Sequence, residues 1–143
     1  MAESKFLYVT YIRTTPEKLW DALTRPEFTR QYWMGISHES DWTPGASWKL
    51  VNAEGKVFDA GEVVEIDPPR RLVLSWTNQF REELKAEGPS RATFELEPME
   101  TTVKLTVTHE IGVADSKFIQ AVSGGWPMIL SGLKSLLETG SAT

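Results

Sequence analysis

The C-terminal end of the chain carries one long apolar stripe. Phe118, Val122, Trp126, Ile129, Leu130, Leu133, Leu136 and Leu137 recur at three- and four-residue steps, the spacing of one helix face. The pattern predicts a helix over Asp115–Glu138, which at about 1.5 Å per residue spans roughly 35 Å, enough to cross a whole sheet. Gly124, Gly125 and Pro127 lie inside it and should bend or interrupt it; Gly140 closes it. Such a helix must bury its stripe, and nearly everything before it reads as strand.

Phe6–Arg13 is rich in β-branched and aromatic residues and predicts the first strand. Thr15-Pro16-Glu17 then supplies an N-cap, a proline at the first helical position and an early acidic residue. Leu19, Trp20 and Leu23 follow at helical spacing. Arg25-Pro26 breaks that helix and starts a second, which reaches Trp33 and ends at Gly35. From Ser37 the period changes to two. Strands are expected in the stretch before Pro44-Gly45 and over Ala46–Asn52, Val57–Ile66, Arg71–Asn78, Ser90–Glu97 and Thr101–Glu110. Ala60-Gly61 allows a bulge, and the charged stretch Gln79–Gly88 reads as a solvated loop or short helix. Short turns between successive strands imply an antiparallel meander.

Strand parity separates an apolar from a mixed face. Leu72, Leu74 and Trp76 share one side, as do Ala92, Phe94 and Leu96, then Val103, Leu105, Val107 and His109, and Trp48 with Leu50. Val63 and Val64 break the alternation in Val57–Ile66, leaving the direction of Glu62 open. The fold class expected is α+β: a curved antiparallel sheet covering its apolar face with the last helix. Where helix and sheet stand apart, an apolar cavity results. Its expected wall is Trp48, Leu72, Leu74, Trp76, Phe94, His109, Trp126, Leu130 and Leu133. Tryptophan at such positions packs a core or lines a pocket. His109, at the end of an apolar row, is either a structural histidine or a group that bonds a ligand or transfers a proton.

Composition removes other classes. The chain has no cysteine, hence no disulfide, thiolate metal site or cysteine nucleophile. His38 and His109 are the histidines, without metal-ligand spacing; no metal and no cofactor is expected. A net charge of −5 and a pI near 5.1 do not suit a nucleic-acid partner. Met1-Ala2-Glu3-Ser4-Lys5-Phe6 carries no secretion signal and no apolar run suits membrane insertion, so a cytoplasmic protein is expected. No phosphate loop, dinucleotide fingerprint or nucleophile elbow occurs. No repeat or linker divides the sequence, which predicts one domain over residues 1–143.

Thr15-Pro16-Glu17-Lys18-Leu19-Trp20-Asp21-Ala22-Leu23-Thr24, Asp41-Trp42-Thr43-Pro44-Gly45 and Gly61-Glu62-Val63 leading to Asp67-Pro68-Pro69-Arg70-Arg71-Leu72 and Trp76 form an ordered set. Leu105-Thr106-Val107-Thr108-His109, Gly125-Trp126-Pro127 and Leu133-Lys134-Ser135-Leu136-Leu137-Glu138 complete it. In these segments the chain resembles the activator-of-heat-shock-protein-ATPase homologues, within the START-like and birch-pollen-allergen-like (SRPBCC) superfamily. The resemblance covers nearly the whole chain. It implies the helix-grip fold, β-α-α-β-β-β-β-β-β-α, with a cavity that related proteins use for lipids, hormones and aromatic polyketides. It implies no catalytic set. Eukaryotic activators use a further N-terminal domain to contact the chaperone, for which this chain is expected to have no room.

Three functions are therefore expected in order. The first is binding of a small apolar or aromatic molecule. The second is a cyclase, dehydratase or hydrolase using His109, with Glu62 as a second proton-handling group. The third is a stress module acting on a chaperone or regulator. A monomer and a homodimer both fit.

Overall fold

The structure, a computed structural model, describes residues 3–142. Met1, Ala2 and Thr143 lie outside the described residues, and with them the first part of the segment read for a secretion signal. Strand β1 (Ser4–Ile12) leads into helices α1 (Pro16–Thr24) and α2 (Pro26–Tyr32). Strands β2 (Ser37–Ser40), β3 (Ser47–Val51), β4 (Val57–Asp67) and β5 (Arg71–Asn78) follow. The short helix α3 (Glu82–Lys85) precedes β6 (Ser90–Pro98), β7 (Val103–Ile111) and the long helix α4 (Lys117–Thr139).

The strands form one curved antiparallel sheet in the order β1-β7-β6-β5-β4-β3-β2, and α4 crosses its concave face in the helix-grip arrangement. The meander from β2 to β7 is as expected. The first strand closes on the last, with Ser4 opposite Ile111 and Ile12 opposite Val103. Helices α1 and α2 carry the chain from that edge to the other. Thr15 caps α1 by accepting from the Lys18 N–H at 3.2 Å, and the Tyr32 hydroxyl donates to the Ala22 carbonyl at 2.7 Å, locking α2 on α1.

The rows read from parity are the core. Leu72 lies opposite Phe94, Leu74 opposite Ala92, Phe94 opposite Val107, and Ala92 opposite His109. All of these side chains are buried. Helix α4 covers them with Trp126, Ile129, Leu130 and Leu133. Of the bend or interruption expected at Gly124, Gly125 and Pro127, there is no interruption: the helix runs unbroken through them. Burial of residues on both sides of the glycines outweighs an intrinsic helix penalty of about 1 kcal/mol per glycine. Ser116 caps α4 at its start, and Gly140, with φ 88°, ends it in the left-handed conformation.

Both ends of α4 are tied to other elements. Glu87, in the loop after α3, accepts from the Ser116 hydroxyl and from the Lys117 N–H at 2.9 Å. Glu138 accepts from the Arg13 N–H at 2.8 Å and from Lys134 at 2.7 Å. Gly132 lets α2 come close, since a Cβ there would stand 3.3 Å from that of Tyr32.

The irregularity in the pairing of β4 with β5 falls at Val64, not at Ala60-Gly61. Val63 lies opposite Leu74 and Glu65 opposite Val73, so the extra residue is Val64. The bulge resets phase, which explains why Val63 is buried, Val64 is exposed and Ile66 again faces Leu72. Gly61 has a different task. A Cβ there would lie 1.9 Å from the Ser75 carbonyl oxygen, an oxygen that instead accepts the Trp48 indole N–H at 2.7 Å.

Gly61→Ala therefore destabilises the fold by about 3 kcal/mol or more, through backbone collision. Gly124→Ala, whose new methyl meets nothing within 4 Å, stabilises it by about 1 kcal/mol. Denaturant midpoints of the two variants move in opposite directions.

Candidate functional site

His109 is enclosed completely, and both of its ring nitrogens are used. The Trp126 indole N–H lies 3.1 Å from Nδ1, and Ser90 Oγ lies 2.8 Å from Nε2. An indole nitrogen only donates, so Nδ1 is the acceptor and the neutral ring carries its proton on Nε2. That proton goes to Ser90 Oγ, whose own hydroxyl donates to the Trp76 carbonyl at 2.8 Å. Burial lowers the His109 pKa to about 3. The ring thus joins α4 to β7, β6 and β5 as a structural group. Glu62 is exposed, so the two groups required for proton handling do not meet.

His38 is a second buried imidazole, with the opposite bonding. Its ring centroid lies 4.6 Å from that of Trp33 and 5.8 Å from that of Trp48. Neither of its ring nitrogens has a hydrogen-bond partner among the described residues. Burial lowers its pKa to about 3. Its position in β2 facing the core was not read from sequence, because that strand is too short for parity to register.

An open pocket of about 210 Å³ lies beside this core, between the first half of α4 and the sheet. Leu50, Asp59, Trp76 and Asn78 of β3, β4 and β5 form one wall. Phe118, Val122, Gly125 and Trp126 of α4 form the other. Trp33 enters from the end of α2, and Phe80, Arg81 and Leu84 border the α3 side. The aromatic rings interlock: Trp33 meets Trp126 edge-on at 5.3 Å, and Trp76 meets Trp126 at 5.7 Å. Phe80, about half exposed, abuts Phe58 at 5.2 Å.

One end of the pocket is polar. The Asn78 amide donates to Asp59 Oδ1 at 3.3 Å, while its own Oδ1 accepts from the Phe80 and Arg81 N–H groups at 3.1 and 2.8 Å. Asn78 thereby orients Asp59 and starts the turn into α3. Burial raises the Asp59 pKa to about 6, against the smaller opposing pull of Trp76 and Asn78. The Trp76 indole N–H favours the carboxylate but lies outside hydrogen-bonding geometry, and no acceptor is bonded to it among the described residues.

The family described as Activator of Hsp90 ATPase homolog 1-like protein matches residues 13–138. The chain belongs to this family. No curated protein matches it. Among solved structures, ChR145 from Cytophaga hutchinsonii is 25% identical, with 94% of this chain and 93% of that chain covered and a TM-score of 0.74. The Aha1 dimer from Colwellia psychrerythraea is 20% identical, covering 96% and 98%, at a TM-score of 0.77. An HSP90 activator from Plasmodium falciparum, PFC0360w, is 22% identical, covering 93% and 95%, at a TM-score of 0.76. These similarities agree with the START-like helix-grip fold.

In this member of the family, Trp76 and Trp126 are the residues of the expected cavity wall that border the pocket. Trp48, Leu72, Leu74, Phe94, His109, Leu130 and Leu133 are closed into the core beside it. Asp59, Asn78, Phe118 and Trp33 border the pocket without having been expected there. The parity of β5 could have flagged Asn78, which is in phase with Leu72, Leu74 and Trp76 and is buried. Among the described residues no cluster of three or more histidine, cysteine or acidic side chains could hold a metal ion. No helix among them is long and apolar enough to cross a membrane.

The buried titratable groups set an acid response. The unfolded chain protonates each histidine near pH 6.5, the folded chain near pH 3, so stability falls as pH drops through that window. Asp59 acts oppositely: it is protonated near pH 6 when folded and near 3.8 when unfolded, and returns stability on acidification. Around pH 5 the difference is about one proton, or about 1.4 kcal/mol lost per pH unit. Asp59→Asn doubles that slope to about 2.7 kcal/mol per pH unit, and His38→Leu brings it close to zero. His38→Leu also raises stability at pH 7 by about 1–2 kcal/mol, because it removes unbonded polar atoms from the core. Urea unfolding between pH 4.5 and 7 measures both effects.

Proposed function

We propose that this protein binds a small aromatic molecule in the pocket between α4 and the β3–β5 part of the sheet. The observation that carries the reading is the pocket itself, open, and walled by Trp33, Trp76, Phe118 and Trp126. Apolar walls with few polar groups are the usual composition of small-molecule sites. Size restricts the guest. An apolar cavity of about 150 Å³ accepts benzene, so a pocket of about 210 Å³ suits one substituted ring better than a lipid chain or a fused polycycle. Helix α3 and its flanking loop form one side of the site, and Asn78 at one end and Glu87 at the other hold them in place. The wall is thus largely formed before a ligand arrives, which reduces the ordering cost of binding.

Gly125 provides the test. It borders the pocket, and a side chain added there meets nothing within 4 Å. Gly125→Leu should fill the space while keeping the fold, and its helix propensity should raise the unfolding midpoint. Toluene is the probe, followed by saturation-transfer NMR and tryptophan fluorescence. Binding by the native chain and loss of at least about tenfold in affinity in the stable variant is the outcome expected from steric exclusion. Absence of any toluene signal from the native chain at millimolar concentration refutes the reading.

A second reading, action on a chaperone, is supported by the family and by an apolar row on the outer face of β1. Leu7, Val9 and Tyr11 are all exposed there, beside the unpaired edge of the sheet. The same edge suits a homodimer. On this reading Gly125→Leu stimulates an Hsp90 ATPase as well as the native chain does, whereas Leu7→Lys combined with Val9→Lys abolishes stimulation. The reverse result removes it.

A further inference from the structure

Asp59 stands in a cross-strand row on the inner face of the sheet. Leu50 lies opposite Asp59, and Asp59 opposite Asn78. Residues directly opposite one another share a face, and Leu50 and Asn78 are buried. Asp59 therefore points to the concave side that α4 covers, where it is half-buried and borders the pocket. From the β5 side the protein holds its carboxyl: the Asn78 amide donates to Oδ1 at 3.3 Å, and the buried Trp76 indole N–H is directed at the group. Oδ2 accepts no hydrogen bond among the described residues. The closed-off polar atoms without a partner belong to His38 and Trp76; Oδ2 is not one of them, so it keeps contact with solvent.

The charge of Asp59 is unmatched as well. No cation lies within salt-bridge distance of it among the described residues; Arg81, the other charged side chain bordering the pocket, pairs with Glu83 at 3.2 Å. Helix α4 turns Phe118, Val122, Gly125 and Trp126 to this space and brings no charge to it. A half-buried carboxylate without a cation is costly, and its neighbours in the row, Leu50 and Asn78, do not require one.

We infer that the aromatic ligand of this pocket carries a protonated amino group, whose N–H donates to Asp59 Oδ2. The inference rests on the reading of the pocket as a ligand site and names the class of its ligand. A ligand carboxylate would meet Asp59 as a like charge. A methyl group leaves Oδ2 unbonded. A hydroxyl gives it one neutral donor and leaves the charge uncompensated. An ammonium group supplies donor and opposite charge together.

The remainder of the pocket agrees with a cationic guest. Walls that include Trp33, Phe80 and Phe118 favour a cation more than aliphatic walls do, and a net charge of −5 favours its approach. The ligand ring occupies the open space beside Val122 and Gly125, outside the touching rings of Trp76 and Trp126.

Toluene, benzyl alcohol and benzylamine share one ring and differ in the group offered to Asp59. Each is titrated into the full chain at pH 7.5 and followed by NMR. Benzylamine is expected to bind at least about tenfold tighter than toluene, the range of one hydrogen bond to a charged group, and tighter than the alcohol. In Asp59→Asn, which keeps the size and removes the charge, the ratio of amine to toluene affinity falls to near one. Acidification gives the same readout in the native chain and serves if the variant fails to fold. Asp59 takes up a proton near pH 6, whereas His38 and His109 stay neutral down to about pH 3 and Arg81 stays charged. At pH 5 the amine therefore loses most of its advantage while toluene binding is unchanged. Toluene or benzyl alcohol binding the native chain as tightly as benzylamine at pH 7.5 overturns the ammonium assignment and leaves the pocket a ligand site. An amine advantage that persists in folded Asp59→Asn, or undiminished at pH 5, overturns it too. If toluene does not bind at millimolar concentration, the pocket reading itself fails.

Discussion

Helix α4 is joined to the sheet by a buried line of hydrogen bonds running from the Trp126 indole through His109 and Ser90 to the Trp76 carbonyl. Apolar contacts alone would hold the helix to the sheet but would leave its height and rotation loosely specified. Directional bonds remove that freedom. Each contributes about 1 kcal/mol net, but removing one member strands its neighbours at about 1–3 kcal/mol apiece. The line therefore matters more for where α4 sits than for how strongly it sits. The pocket depends on it directly, because Trp76 and Trp126, which anchor the two ends and touch each other at 5.7 Å, both border it.

The same line decides what His109 can do. A histidine at the end of an apolar strand row invites a catalytic reading, and its position in β7 agrees with the parity that suggested it. Its tautomer is dictated by a partner that can only donate, and its other nitrogen is spent on a serine that is itself committed to a carbonyl. With its pKa lowered by burial to about 3, it stays neutral at neutral pH. The titratable carboxyl that borders the pocket is instead that of Asp59, in β4.

The sequence made the scaffold readable because its signals are local. Parity in β5, β6 and β7 placed Leu74, Phe94 and Val107 on one face, and the helical stripe supplied the layer that covers them. What it could not convey was set by distance between elements. Parity says that Trp48, Leu130 and Leu133 point inward but not whether they stop short of one another; here they meet, and the middle of the grip is solid. The opening lies farther along α4, where Gly125 presents no side chain and Val122 is short. Glu87 was hidden for another reason. In sequence it is one acid among several in a charged stretch, and only the return of α4 to that loop turns it into the cap of a helix thirty residues away. Val64 likewise took the bulge that Ala60-Gly61 suggested, because Gly61 was already needed for close contact with Ser75.

This division between scaffold and side chains bears on how function varies within the family. The backbone arrangement requires only that a sheet curve around a helix; the volume left inside depends on which side chains project into the grip. Trp33, Trp48, Phe94 and Trp126 occupy much of that interior here, reducing the opening to about 210 Å³ and moving it toward α3. Replacing Trp33 or Phe94 by a leucine or alanine would enlarge the space without removing any member of the hydrogen-bonded line, at a cost of about 3–5 kcal/mol in stability for a full truncation, whereas replacing Trp126 would also remove the bond that starts that line. Chains with the same fold can therefore hold guests of different size and polarity, and likeness of backbone carries little information about which guest. In this chain the size of the opening is a property of its tryptophans, and its polar end a property of Asp59 and Asn78.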